Sequence, residues 1–264
     1  MNQTTIIYYT DNTLEPVFEK KVQDYLVKAA DGKRIISVSQ KPMDFGHNIC
    51  VGNIGRSHFS LFRQTLVGAE AAGTRYMALA EHDCLYTPEH FNWVPPDDDF
   101  FYYNVHHWFV QWGGSLSGMY SYFRRKPMSM LISNRELYIR AIKEKLAMIA
   151  DGYQIKKGQL GACEPGVCSN EEAFVKAQES WECEPGVCDD RAAFIEQKLR
   201  MTEHKDVGKE NFRARSFKTE LPNIDIRYGK NFSGNRRGRQ RCYSIPHWGS
   251  FRDVMERSFE NRIT

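Results

Sequence analysis

Tyr76-Met77-Ala78-Leu79-Ala80-Glu81-His82-Asp83-Cys84-Leu85-Tyr86 decides how this chain is read. The run from Tyr76 to Ala80 is apolar enough for a buried strand, and it ends directly in Glu81, His82 and Asp83. Open α/β sheets bind ligands at the rim formed by the carboxyl ends of their strands. A carboxylate and an imidazole placed there can hold a divalent cation, and that cation can hold a diphosphate. Upstream, Thr5-Ile6-Ile7-Tyr8-Tyr9 reads as a first strand, ending in Thr10-Asp11-Asn12. Pro16 to Ala30 predicts an amphipathic helix, with Val17, Phe18, Val22, Tyr25, Leu26 and Ala29 at helical spacing and Asp31-Gly32 as its stop. A second strand spans 34–39. A loop containing Gly46, Gly52 and Gly55 follows, then a helix over 57–72 closed by Gly73. Strand, helix, strand, helix, strand predicts a mostly parallel sheet with helices packed on it.

Composition bounds the rest. In 264 residues, hydrophobic side chains make up 41 % and aromatic ones 13 %, enough for a substantial core. No apolar run approaches the roughly 20 residues of a membrane span. The first strand begins almost at once, with no signal-peptide pattern before it, so a soluble cytoplasmic protein with no membrane partner is expected. The net charge of +3 is mild but unevenly spread, since Lys205–Cys242 carries eleven Lys and Arg against four acids.

Beyond the acidic cluster the alternation weakens. Residues 100–105 and 107–111 read as strands in a hairpin-like pair, and 128–133 as a further short strand. Asn134 caps a helix running to Ala150. The tail from Lys205 reads as basic and loop-like, with a closing helix over 250–261. Between these lies a duplication: Cys163-Glu164-Pro165-Gly166-Val167-Cys168 recurs as Cys183-Glu184-Pro185-Gly186-Val187-Cys188. Each copy reads as a tight turn followed by a short helix. Reduced thiols, a four-thiolate Zn²⁺ site and disulfides all remain open for these four cysteines. Three domains of function result: an α/β core over 1–150, a helical insertion over 151–204, and a basic C-terminal segment over 205–264.

Taken together, Asn53-Ile54-Gly55-Arg56-Ser57, Arg63, Gly68, Ala71-Ala72-Gly73 and the strand into Glu81-His82-Asp83 resemble the nucleotide-sugar half of GT-A-fold glycosyltransferases, above all the inverting group typified by family 2. The likeness runs over roughly residues 5–90. It departs from the common Asp-x-Asp motif, which stands here as Glu81-His82-Asp83. The resemblance implies an α/β fold of GT-A type: a mixed, mostly parallel sheet, helices on both faces, and the helical Cys-containing insertion. It also implies a UDP-sugar donor and Mn²⁺ or Mg²⁺, with Asp83 as metal ligand and His247 as its distant partner. Thr10, Asp11, Ser39, Gln40, Arg56, Arg63, Glu81, His82, Lys230 and Asn231 would contact the nucleotide sugar. Asp225 or Glu220 would deprotonate the acceptor hydroxyl.

A narrower likeness runs from Gly52–Ser60 through Ala80–Asp83 to Asn223–Arg227 and Pro246-His247-Trp248-Gly249. These segments are similar to phage-type DNA glycosyltransferases related to the base J glucosyltransferase, which act on 5-hydroxymethylpyrimidines in DNA. Arg236, Arg237, Arg239 and Arg241 would then track DNA phosphates, and a duplex acceptor would have to flip out its base. Two other readings compete: the same fold acting on a glycan, lipid-linked sugar or protein, and a zinc-stabilised nucleic-acid-binding module without catalysis. The sequence leaves the oligomeric state open.

Overall fold

A computed structural model describes residues 3–122, 126–150, 214–228 and 240–256. The insertion with its four cysteines, together with Lys230, Asn231, Arg236, Arg237 and Arg239, lies outside the described residues.

Strand β1 (Thr4–Thr10) is buried at all seven positions, as a strand covered on both faces must be. It lies between β2 (Ile35–Ser39) and β4 (Tyr76–Glu81), parallel to both. The loop expected around Gly46 contains an edge strand, β3 (His47–Cys50), parallel to β2. Its polar and half-exposed residues give no apolar run, so the sequence pattern missed it. With β6 (Phe101–Asn104), β9 (Leu131–Asn134) and β10 (Ala214–Phe217), the order across this seven-stranded sheet is β10-β6-β9-β4-β1-β2-β3. Only β9 runs against the others.

Alternate residues feed two cores. Ile7, Val38, Met77 and Leu79 pack under helices α2 (His58–Ala71) and α4 (Arg135–Ala150) through Phe62, Ala69, Tyr138 and Ile142. Ile6, Tyr8, Ala78 and Ala80 face the other side, with Leu26, Ala29 and Ala30 of α1 (Pro16–Ala30) and Phe91 of the short α3 (Pro88–Asn92). The helices therefore cover both faces, as expected. Their ends follow local chemistry. Glu15 accepts from the amides of Val17 and Phe18, and Asp31 takes the left-handed conformation that ends α1. Ser57 caps α2 through the Ser60 amide at 3.0 Å, and Asn134 caps α4 through the Leu137 amide at 3.0 Å. Gly68 lets α2 lie on the sheet: a Cβ there would stand 2.4 Å from Ile7 Cγ2.

The second sheet has the order β12-β8-β7-β11-β5, from Gln240–Cys242, Tyr120–Tyr122, His107–Gln111, Asn223–Arg227 and Cys84–Leu85. It corrects two expectations. Residues 101–104 and 107–111 are not a hairpin. The chain leaves the first sheet at Asn104, whose side chain accepts from the His106 amide at 2.9 Å and donates to Thr219 Oγ1 at 2.8 Å. It enters the second sheet as β7, whose hairpin partner is β8. The tail is not loop-like where it is described: β10 runs parallel to β6 and β11 parallel to β7, so the two segments cross between the sheets side by side. A β13–β14 hairpin (Ser244–Ile245, Gly249–Ser250) and helix α5 (Phe251–Glu256) follow. Residues 128–133, expected as one strand, begin with a 3-10 turn at Met128–Met130 before β9. Phe18, Val22 and Tyr25 of α1 form a third core with Val110, Ile224, Ile226, Trp248 and Phe251, so one helix serves both sheets. Among the described residues, no helix is long and apolar enough to cross a membrane.

Candidate active site

The order β3-β2-β1-β4 reverses direction at β1, so β1 and β4 flank a topological switch point. The crevice outside their carboxyl ends is where open α/β sheets take ligands. Glu81 stands level with Tyr9 in the β1–β4 register, which sets Thr10, Asp11, His82 and Asp83 on one rim.

On the β1–β2 side the rim is tightly wired. Asn12 is left-handed, with φ 56°, and its Oδ1 accepts from the amides of Gln40 and Lys41, each at 2.8 Å. The Gln40 side chain reaches up to the 53–57 loop. It donates to Gly55 O at 2.6 Å and accepts from the Ile54 amide at 3.2 Å. Ser39 Oγ is engaged locally with Lys41 O at 2.6 Å and Asn48 Nδ2 at 2.9 Å. Arg56, from the same loop, sets its Nε 2.6 Å from Asp11 Oδ2. Burial would raise the Asp11 pKa, but His82, Thr13 and Arg56 outweigh it and hold the carboxyl below its usual value. Arg63 lies elsewhere, exposed on α2 with its guanidinium 5.7 Å from the Phe59 ring.

His82 links this side to the second sheet. Its Nδ1 lies 2.7 Å from Thr10 Oγ1 and 3.6 Å from Asp11 Oδ1, and its Nε2 lies 3.2 Å from the Tyr228 hydroxyl. Burial, helped by the Arg56 charge and opposed by Asp11, pushes its pKa down to about 4, so the imidazole is neutral at neutral pH.

The acidic side is assembled from two sheets. After Glu81 the chain turns back: the Glu81 amide donates to the Tyr86 hydroxyl at 3.0 Å, which itself donates to Ser129 O at 2.9 Å. Strand β11 runs antiparallel to β5 there, with Asp225 opposite Cys84 and the Ile226 amide donating to Asp83 O at 2.8 Å. One ligand atom from each of Glu81, Asp83 and Cys84 lies within 4.8 Å of the other two. Asp225 adds a third carboxylate whose charge reaches both Glu81 and Asp83. Glu81, which keeps an edge open to solvent, is pushed up to about 7, first by burial and then by the Asp225 charge, with Arg227 pulling it back. Burial, then Glu81 and Asp225, drive Asp83 well above the usual carboxylate range. Arg227 donates to Asp225 Oδ2 at 2.6 Å and lies over the Phe109 ring at 4.5 Å. Buried carboxylates this close resist ionising together. The hard oxygen donors and their mutual repulsion fit a divalent cation.

The fold thus brings together Thr10, Asp11, Gln40, Arg56, Glu81, His82, Asp83 and Asp225. Glu220 is exposed in the turn before β11, and Arg241 is exposed on β12. His247 sits exposed and left-handed, φ 71°, in the β13–β14 turn, and is not in the Glu81-Asp83-Cys84 group. The next residue anchors that turn: Trp248 Nε1 donates to Pro222 O at 2.6 Å. Arg227, Tyr228, Asn12 and Gln64 were not singled out from the sequence. Gln64 Nε2 ties the ends of β1 and β2 through Thr10 O and Val38 O, at 2.8 and 3.0 Å. For Arg227 there was a signal: Asn223, Asp225 and Arg227 alternate with Ile224 and Ile226, the period of a strand with one polar face.

No protein-family model and no curated protein matches this sequence. Among solved structures, a glycosyltransferase involved in glycosylation of the major capsid of PBCV-1 is similar at TM-score 0.35 and 12 % identity, over 55 % of this chain and 65 % of that one. The bifunctional IspDF from Campylobacter jejuni gives TM-score 0.36 and 11 % identity, over 55 % and 44 %. Apo GlyE from Streptococcus pneumoniae TIGR4 gives TM-score 0.41 and 7 % identity, over 60 % and 41 %. This chain covers less than two thirds of each of those chains. Likenesses this weak say nothing about activity, which rests on the site.

Proposed function

We propose that the protein is a metal-dependent glycosyltransferase of GT-A type that takes its sugar from a UDP-sugar. One observation carries this reading: a carboxylate cluster sits at the switch point of a mostly parallel sheet, beside the hydrogen-bonded rim at the ends of β1 and β2. Glu81 and Asp83 would hold Mn²⁺ or Mg²⁺, which when bound would offset the charge that builds on a departing diphosphate. Asp11, Asn12, Gln40 and the 53–57 loop shape the end where base and ribose would lie, and Arg56 brings a guanidinium within reach of phosphate oxygens. Neutral His82 orients the Tyr228 hydroxyl between rim and cluster. Asp225 is better placed than Glu220 as the acceptor base, because Asp225 stands opposite Cys84 beside the cluster while Glu220 is exposed in the turn before β11. His247 enters as a metal ligand only if its turn comes down on the cluster.

The finer reading is transfer of glucose to 5-hydroxymethylpyrimidine bases in DNA. Its support is the likeness of the Gly52–Ser60, Asn223–Arg227 and Pro246–Gly249 segments to DNA glycosyltransferases, and the basic charge of 205–242, of which Arg241 lies exposed on a sheet edge. UDP release from UDP-glucose with Mn²⁺ tests both levels. Release stimulated by hydroxymethylated DNA and not by plain DNA is the expected result. Equal release with either DNA removes the DNA acceptor and favours a glycan, lipid-linked sugar or protein. Failure to bind or turn over any nucleotide sugar would falsify the enzyme and favour a nucleic-acid-binding scaffold.

A further inference from the structure

Arg227 is an unusual neighbour for a cation site. It is buried, its guanidinium contacts Asp225 at 2.6 Å, and the Phe109 ring lies 4.5 Å beneath it. It is also within electrostatic reach of Asp83 and Glu81. Its backbone is held as firmly: it pairs in β11 with Gln111, and its carbonyl accepts from the Trp112 amide at 2.7 Å. A guanidinium fixed in this way holds Asp225, which stands opposite Cys84 in the β11–β5 register, and so sets a fixed positive charge beside the carboxylates that a divalent ion would use. Like charges repel strongly where solvent screening is weak.

Resting on the metal-binding reading above, we propose that Arg227 is a positioning residue that competes with the metal for the carboxylate cluster. It holds Asp225 and offsets the cluster's charge when no metal is bound, and it weakens metal affinity in the absence of nucleotide. A metal that binds loosely alone gains its remaining stabilisation from the diphosphate oxygens of the donor, so cation and sugar nucleotide would load together. A residue that merely packs the cluster would act in the opposite direction, because its loss would loosen the metal's ligands.

The test is calorimetric titration of the full chain with Mn²⁺, without nucleotide, for wild type, Arg227→Met, Arg227→Gln and Arg227→Lys. Met and Gln should tighten Mn²⁺ binding by about tenfold or more, and Lys should stay near wild type. The Mn²⁺-induced rise in Tm should also be larger for Met than for wild type, because the metal-free variant leaves the carboxylates less compensated. Gln keeps an amide donor for Asp225 and decides the outcome if Met does not fold. Unchanged or weaker Mn²⁺ binding in the folded neutral variants overturns the proposal, as does Lys behaving like Met. Wild-type protein that binds no Mn²⁺ overturns instead the metal-dependent function on which the proposal rests.

Discussion

The seven-stranded sheet and the five-stranded sheet supply different halves of one site. The first is centred on apolar strands covered on both faces, β1, β2 and β4, linked by helices in βαβ units. The second is built from short strands gathered from distant parts of the chain, with Ile224 and Ile226 turned into one core and Asp225 and Arg227 turned to the cluster. The first sheet supplies the rim and Glu81, and the turn that leaves it supplies Asp83. The second supplies a third carboxylate and the guanidinium beside it. A locally specified frame thus carries the rim, and a sheet paired from distant segments sets the charge of the cluster.

The strongest way to break this division is Asp83→Ala. Donor turnover should fall by at least about 100-fold, with the circular dichroism spectrum unchanged. Retained turnover would take Asp83 out of the mechanism. Asp225→Asn probes the second sheet's share: Mn²⁺ affinity should fall about tenfold, opposite in sign to the neutral Arg227 variants. Equal affinity would confine the metal to Glu81 and Asp83. Gly68→Ala tests the frame alone. The new Cβ, 2.4 Å from Ile7 Cγ2, should cost about 1–3 kcal/mol, visible as a lower Tm. A Tm equal to wild type would mean that α2 is not seated closely on β1.

The seam between the sheets gives the smallest effect, through pH. His90 is fully buried, its ring near Tyr86, Phe91 and Phe217, with Asn104 Nδ2 3.3 Å from its Nδ1. Burial, and then His107, lower its pKa from 6.5 to about 3. Between these values the unfolded chain binds the proton and the folded protein does not, so stability falls as pH drops through 6.5 toward 3. His90→Phe removes that contribution. Its Tm should fall less steeply than wild type between about pH 6.5 and 4.5, and parallel curves would show that His90 titrates alike in both states.

Much of the frame was legible because its signals are local. Pro16–Ala30 was read as a helix with the bounds it has, since Pro16, the apolar spacing and Asp31-Gly32 all lie within the segment. The strand into Glu81-His82-Asp83 was equally plain, and its place at the rim follows from strand order. The hairpin expected at 100–111 failed because each strand is correct alone but pairs elsewhere, β6 with β9 and the distant β10, β7 with β8 and the distant β11. Strand β3 escaped because an exposed edge needs no apolar run. In sequence Asp225 is only one of two candidate bases, and nothing near it shows that Cys84 lies opposite.

The sequence alone determined the βαβ frame and the acidic end of its β4 strand, because helix caps, apolar periodicity and strand composition act within a few residues. Only the tertiary structure decided that Asp225 and Arg227 join Glu81 and Asp83, that Tyr228 reaches His82, and that Glu220 and Arg63 lie outside the cluster. Those outcomes depend on pairing between strands far apart in the sequence, where many registers satisfy the same local pattern and packing against α1 and β5 selects one.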